Sequence, residues 1–265
     1  MRRALIVIVA LAGCGGTTGS GLVTFNAVAG GPANVDWTAG FDTGSGYHVT
    51  LTNASFHLGA VYLNMTNPSA GGPEAACIQP GIYVAQAFGA CQSDGVCGVD
   101  LNLLKSDSIP FGVLGEGTAN LAAEAEVWLT GGDINDANDT TPILQATGTA
   151  SRDGVDWPFT TTVTIAGNRQ IPAPNVAEPG LHPICRQRIV SPIVLPGGLQ
   201  LSDGGTLDVT VDARGMFNQV DFAELSAGGN LPQYTIPDDQ SILGTAMYKG
   251  VMANSGVYGF AFAPK

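Results

Sequence analysis

Positive charge and long apolar runs are both scarce in this sequence. Its 265 residues include ten Lys and Arg against 22 Asp and Glu, which gives a formal net charge of −12. Nucleic acids and anionic lipid headgroups are bound through clustered Lys and Arg, so no nucleic-acid partner is expected. After the first 14 residues, no apolar run approaches the roughly 20 residues of a membrane-spanning helix. We therefore expect the body of the chain to lie outside the bilayer.

Charged residues of both signs make up only 12% of the chain, whereas Gly and Pro contribute 37 and 16 residues. Soluble domains usually contain about 25% charged residues. Long surface helices need Glu, Lys and Arg, so this composition argues against them. Frequent Gly and Pro are typical of short strands joined by many turns. The composition predicts an all-β fold.

Apolar residues alternate along two segments, as in a strand with one buried face. They occupy one parity in "VDWPFTTTVTI" (155–165) and again in "TLDVTVD" (206–212). Asp153-Gly154, just before the first of these segments, is a strong hairpin signal because both residues tolerate positive φ. The apolar parity changes within "YHVTLTNASFHLGAVYLN", which predicts a bulge near Thr52-Asn53. Further strands are predicted at 22–29, 81–88, 124–130, 219–225, 242–250 and 256–263.

These patterns predict an antiparallel β-sandwich with long loops and at most short helices. A chain of this length can fold as one all-β domain, and no fixed-period repeat suggests a propeller or solenoid. We therefore assign residues 22–265 to a single β-sandwich domain. Residues 1–13 and 14–21 are not expected to be part of this domain.

The N-terminus has the layout of an export signal. Arg2 and Arg3 precede nine apolar or small residues, 4–12, and Leu11-Ala12-Gly13-Cys14 follows as a run of small residues that ends in a thiol. The apolar segment is too short to cross a bilayer. The tetrapeptide resembles the lipobox of bacterial lipoproteins, and the body is similar to Gly-rich envelope lipoproteins of unassigned role. An ordinary cleaved signal with an incidental cysteine is the alternative.

The lipobox resemblance implies a signal peptide at 1–13 and cleavage before Cys14. It also implies that Cys14 carries the acyl chains, palmitate among them, that hold the protein on a membrane. Residues 15–21 are rich in Gly, Ser and Thr and would form a flexible tether. Position 15 is Gly and not Asp, which in Gram-negative lipoproteins suggests the outer membrane. The expected location is the cell envelope, on the periplasmic or surface face.

Four cysteines follow the anchor: Cys77, Cys91, Cys97 and Cys185. An even number in an exported chain predicts two disulfides, and three pairings are open. We favour Cys91 with Cys97 and Cys77 with Cys185. A zinc site is the alternative, although the cysteines lack paired C-x-x-C spacing.

Two groups of residues are candidate metal ligands. Asp133, Asn135, Asp136, Asn138 and Asp139 crowd oxygen ligands suited to calcium into one loop. The loop lacks the Gly and Glu positions of an EF-hand, and a solvated turn explains the same residues.

His48 and His57, with Met65 beyond them, are candidate ligands for copper. The predicted bulge would place both histidines on one strand face. Ordinary surface and hydrogen-bonded histidines are the alternative, so no cofactor is expected.

A catalytic constellation is not evident in the sequence. There is no G-x-S-x-G nucleophile elbow. Glu124 and Glu126 share a strand face, which suits a hydrolase carboxylate pair but also an ordinary polar face. Trp37, with Phe41 and Tyr47, is the best candidate for an exposed patch that contacts an envelope protein or glycan. The sequence thus favours a binding or interaction module over a metal-binding lipoprotein, and an enzyme ranks third.

Overall fold

The computed structural model describes residues 21–66, 83–93, 95–132, 134, 139–165, 187–228 and 232–265. These residues form fifteen strands, two α-helices and a 3-10 helix. The strands are β1 (Leu22–Gly30), β2 (Phe41–Asp42), β3 (His48–Leu58), β4 (Ala60–Asn64), β5 (Tyr83–Phe88), β6 (Val99–Asn102), β7 (Ile109–Pro110), β8 (Gly115–Thr118), β9 (Leu121–Trp128), β10 (Pro142–Arg152), β11 (Val155–Thr164), β12 (Ile189–Gln200), β13 (Thr206–Val211), β14 (Tyr234–Ile236) and β15 (Tyr258–Ala263). The helices are α1 (Ala213–Met216), α2 (Ile242–Val251) and the 3-10 helix Phe222–Gly228.

The strands form two sheets. The nine-stranded sheet has the order β12-β9-β4-β5-β8-β1-β13-β15, with β7 also paired to β1. The six-stranded sheet has the order β14-β11-β10-β3-β2, with β6 also paired to β3. Most pairs are antiparallel, but β1 with β13 and β11 with β14 are parallel. The predicted all-β, sandwich-like fold with few short helices is confirmed.

The apolar faces of both sheets contribute to one core. On β11, Trp157, Phe159 and Val163 are buried, and on β13 Leu207 and Val209 are buried. Burying one large apolar side chain contributes about 1.5–3 kcal/mol. The alternation predicted for these two strands therefore matches the side that packs inward.

The hairpin and the bulge both occur where the sequence predicts them. Asp153 and Gly154 have φ of 54° and 78° and connect β10 to β11. Along β3, Asn53 pairs with Thr147 and Leu51 pairs with Gly148, so Thr52 is the extra residue. This residue moves the buried positions from odd numbers to even ones, because a side chain changes face with every residue of a strand.

Two predicted strands are wrong. Residues 242–250 lie within helix α2, whose buried Leu243, Met247 and Val251 follow a spacing of four. Ser241 caps this helix by accepting a hydrogen bond from the Gly244 amide at 3.1 Å. The second segment, 219–225, runs into the 3-10 helix, where Phe222 and Leu225 are three residues apart and both buried. In both segments helical spacing, and not alternation, places the apolar side chains in the core.

Of the other predicted strands, 22–29, 124–130 and 256–263 correspond to β1, β9 and β15. The 81–88 strand corresponds to β5, with positions 81 and 82 outside the described residues. Among the described residues, no helix combines the length and the apolar character needed to cross a bilayer.

Candidate functional site

A polar cleft opens where β3, β6 and the start of β10 meet the loop after β5. Its volume is about 820 Å³. Polar residues that line it are Ser55, Gln92, Asp100, Asp139, Thr140 and Gln145. The chain enters this loop after Phe88, the last residue of β5, and leaves it at β6. The strand ends thus bring together residues from four separate parts of the sequence.

His57 lies beneath this cleft and is 3% exposed. Because β3 pairs with β6, His57 faces Asp100, and its Nδ1 lies 2.7 Å from the Asp100 carboxylate. Its Nε2 lies 3.1 Å from both the Cys97 and Thr130 carbonyl oxygens. Carbonyl oxygens and carboxylates only accept hydrogen bonds, so Nε2 donates to the two carbonyls and Nδ1 donates to Asp100. His57 therefore joins the loop, β6 and the segment after β9.

The loop that forms one wall of the cleft is closed by a disulfide between Cys91 and Cys97. The Gln92 amide donates to the Val96 carbonyl at 2.8 Å, and the Cys97 amide donates to the Gly131 carbonyl at 2.7 Å. The predicted Cys91–Cys97 pairing is confirmed. Cys77 and Cys185 lie outside the described residues, so their pairing stays a prediction.

Gly98 allows this loop to approach the imidazole of His57 closely. Its φ is +155°, and a Cβ atom added there would lie 2.3 Å from His57 Nε2. Only Gly fits this position, because an L side chain would both strain the backbone and collide with a buried ring.

We expect Gly98→Ala to lower the free energy of unfolding by about 3 kcal/mol or more, from backbone strain and overpacking combined. Gly132→Ala is the matched control, because the nearest atom to an added Cβ there is 3.9 Å away. Urea unfolding of both variants measures the difference. Equal stabilities would show that the close approach of Gly98 to His57 is wrong.

Asp139 also lines the cleft and accepts three hydrogen bonds, each 2.9 Å long. Its Oδ2 accepts from the Thr130 hydroxyl and the Gly131 amide, and its Oδ1 accepts from the Thr141 amide. Burial acts to raise the pKa of Asp139, but the bonds from Thr141, Gly131 and Thr130 outweigh it and hold the pKa below 3.8. Asp139 is thus fixed as a carboxylate.

The lowered pKa of Asp139 predicts a specific acid dependence. A group with a depressed folded pKa stabilises the fold above its unfolded pKa, and this stabilisation is lost as pH falls through the folded value. We expect Asp139→Asn to unfold at a lower temperature than the parent at pH 7, and the gap to narrow below pH 3.8. Thermal unfolding from pH 7 to pH 3 measures it. A gap that stays constant over this range would contradict the assignment.

The structure does not bring the proposed copper ligands together. His48 and His57 lie on the same face of β3, as the bulge predicts, but nine residues of strand put them roughly 30 Å apart. His48 is exposed, and its Nδ1 lies 2.9 Å from an Asp42 oxygen. Met65 follows the end of β4 and is also exposed. A shared site of these three residues is therefore wrong.

The predicted calcium loop is described only in part. Asp133, Asn135, Asp136 and Asn138 lie outside the described residues. Asp139 is described, and both of its oxygens already accept hydrogen bonds from the protein. In the described part of the chain, no group of three or more His, Cys, Asp and Glu could hold a metal ion.

Two other sequence expectations change. Glu126 is 1% exposed, and it accepts hydrogen bonds from Trp128 Nε1 and the Ser191 hydroxyl, so its carboxylate does not face solvent. The expected aromatic patch is also wrong: Tyr47 is fully buried, and Trp37 packs against the core at an edge-to-face distance of 6.2 Å from Phe41.

The cleft residues Asp100, Gln92 and Gln145 were not predicted from the sequence. Asp100 is 43 positions from His57, and only the register between β3 and β6 joins them. No local motif marks Gln92 or Gln145. The one sign of these cleft residues in the sequence was the group of polar residues beside the predicted Cys91–Cys97 loop.

Comparison with known proteins adds little. No protein family matches the chain, and no curated protein matches it. A solved structure from Bacteroides eggerthii, provisionally described as a cell adhesion protein, aligns with 11% identity and a TM-score of 0.16. The alignment covers 91% of this chain and 54% of that one, so the chain spans about half of its length. A score this low carries no argument about fold or function.

Proposed function

We propose that this protein is an envelope lipoprotein, anchored through Cys14 at the outer membrane, that displays a β-sandwich as a binding module. The tetrapeptide at 11–14 supports the anchor. The Cys91–Cys97 disulfide supports export, because disulfides persist mainly in oxidising compartments. The proposal assigns the protein no reaction.

The observation that carries the binding role is the cleft with its fixed polar groups. A volume of about 820 Å³ lies within the usual range for sites that hold small ligands, roughly 300–1,000 Å³. Asp100 and Asp139 are already held by neighbouring donors, so a ligand would order little additional structure. Groups fixed in advance reduce the entropy lost on binding.

The His57–Asp100 pair resembles half of a catalytic triad, yet its geometry favours a structural role. A general base needs an Nε2 lone pair directed at the substrate. In His57 that nitrogen points at the carbonyls of Cys97 and Thr130. The pair therefore supports binding in preference to catalysis.

The position of Leu22, where the described chain begins its first strand, supports a cleft that faces away from the membrane. Leu22 pairs with Thr118 at the end of β8 near Tyr83, where β5 begins. The cleft loop follows Phe88, at the other end of β5. Six residues of strand separate these ends by about 20 Å. An anchor before Leu22 would hold one end of the sheet near the membrane and leave the cleft on the far end.

Photo-crosslinking in cells tests this proposal. A photoreactive amino acid at position 145 lies in the cleft, and one at position 153 lies about 26 Å away along β10. We expect specific, reproducible adducts with an envelope component from position 145 and none from position 153. Adducts from position 153 alone, or the same adducts from both positions, would contradict a binding role for the cleft.

A further inference from the structure

We infer that the cleft binds a neutral, hydroxyl-rich ligand, which is the chemistry of an uncharged glycan segment. This inference rests on the proposed binding function and adds the class of ligand. It follows from the charge, the hydrogen-bonding groups and the size of the cleft.

The charge of the cleft disfavours anionic ligands. Among its described lining residues are two carboxylates, Asp100 and Asp139, and no Lys or Arg. A phosphate, sulfate or uronate group would meet like charge and find no Lys or Arg among these residues, and both ring nitrogens of His57 already face protein acceptors. The formal net charge of the whole chain, −12, adds to this repulsion.

The same carboxylates are poorly suited to a cationic ligand. Asp139 accepts three hydrogen bonds from protein donors. Asp100 accepts one from His57 and a longer one from the Gln92 amide, at 3.4 Å. These donors partly compensate both charges before any ligand arrives. The two carboxylates therefore offer a ligand hydrogen-bond acceptors more than uncompensated negative charge.

The groups that remain accessible can both donate and accept. The Asp100 side chain is 67% exposed and offers acceptor lone pairs. Gln145 and Thr140 are exposed on the opposite side and each offer a donor and an acceptor. A sugar ring presents hydroxyl groups that also donate and accept, so it can satisfy such a lining without any charge.

The size of the cleft favours a small ligand segment over a folded partner. This site is a concave space of about 820 Å³, within the range of roughly 300–1,000 Å³ that is usual for pockets that hold small ligands. Asp100 on β6 and Gln145 on β10 line it from either side of β3. This arrangement fits a chain end or short segment of a glycan inserted between them.

Binding of the full chain, solubilised in detergent, to an array of neutral, amino and anionic oligosaccharides tests the inference. We expect a neutral oligosaccharide to be retained, with affinity nearly unchanged between 50 and 500 mM salt, about a tenfold range. Gln145→Ala should weaken binding about fivefold and Asp100→Asn about tenfold, as expected for a neutral and a charge-assisted hydrogen bond. Asp153→Asn, in the distant hairpin, should have no effect.

Gln145→Ala separates a loss of binding from a loss of folding, because Gln145 is exposed on β10 and its truncation should leave the fold intact. Retention of anionic oligosaccharides only, or of amino oligosaccharides only with strong salt dependence, would overturn the inference. So would the absence of any retained oligosaccharide. If position 145 still crosslinks to an envelope protein in cells, the binding function stands and only the glycan class is wrong.

Discussion

Replacing Cys14 with Ala is expected to release the protein from the membrane completely. If Cys14 carries the acyl chains, its loss removes every buried methylene of the anchor, at about 0.8 kcal/mol each. The remaining chain has a net negative charge and no basic cluster to hold it on anionic lipids. Fractionation of cells, together with palmitate labelling, measures both the location and the acylation.

The matched control for this experiment is the double variant Cys91→Ser, Cys97→Ser. It also removes cysteine and opens the described disulfide, but it leaves the proposed anchor in place. We expect this variant to remain in the membrane fraction and to take up palmitate. If Cys14→Ala still sediments with membranes and is labelled, the anchor assignment is wrong.

Replacing His57 with Ala is expected to lower the free energy of unfolding by about 3–5 kcal/mol. The substitution leaves the Cys97 and Thr130 carbonyls without their shared donor, at a cost of about 1–3 kcal/mol for each buried group that stays unsatisfied. It also leaves a cavity beneath the cleft. Since the cleft loop depends on this ring, ligand binding should be lost along with stability.

His48→Ala is the control for the same substitution on the same strand. Its side chain is about half exposed and pairs with an exposed aspartate, so the expected loss is below about 1 kcal/mol. Urea unfolding in the presence of EDTA compares the two variants. A large loss of unfolding free energy for His48→Ala would favour a metal role for these histidines. So would a loss for His57→Ala that disappears when EDTA removes metal from the parent protein.

Local patterns in the sequence predicted most of the sheet correctly. On β11 the alternation is strict, and the Asp153-Gly154 turn fixes the register with β10. The parity change along β3 predicted a bulge near Thr52-Asn53, because a single inserted residue reverses the face of every later side chain, and the structure has it at Thr52. The Cys91–Cys97 pairing could also be predicted from local sequence, because the two cysteines are only six residues apart.

The errors arose where alternation and helical spacing overlap. In 242–250, Leu243 and Met247 fit either reading, and apolar neighbours between them obscured the spacing of four. Ser241 was a usable sign, because Ser is a preferred N-cap. Tyr47 was misassigned to an exposed patch because its burial depends on rings that lie far away in sequence, Trp157 and Phe222.

The cleft could not be predicted from local patterns. Its central contact, His57 with Asp100, depends on the pairing of β3 with β6, and β4 and β5 lie between these two strands along the chain. From the sequence, His57 and Asp139 were candidate metal ligands, with a hydrogen-bonded histidine and a solvated turn as the alternatives. The structure gives each a set of protein hydrogen-bond partners instead.

The proposed function places the anchored end and the cleft at opposite ends of the sandwich-like fold. If residues 15–21 behave as a flexible tether, their end-to-end distance is about 15 Å, which keeps Leu22 close to the bilayer. Leu22 and Gln145 are both exposed, so each can carry a spin label through a non-natural amino acid.

The most direct measurement is the distance of each label from the membrane, determined with the lipidated protein in vesicles that contain paramagnetic headgroups. We expect a label at position 22 to lie within about 15 Å of the headgroups and a label at position 145 to lie about 20 Å farther out. A label at position 145 as close to the membrane as the label at position 22 would contradict it.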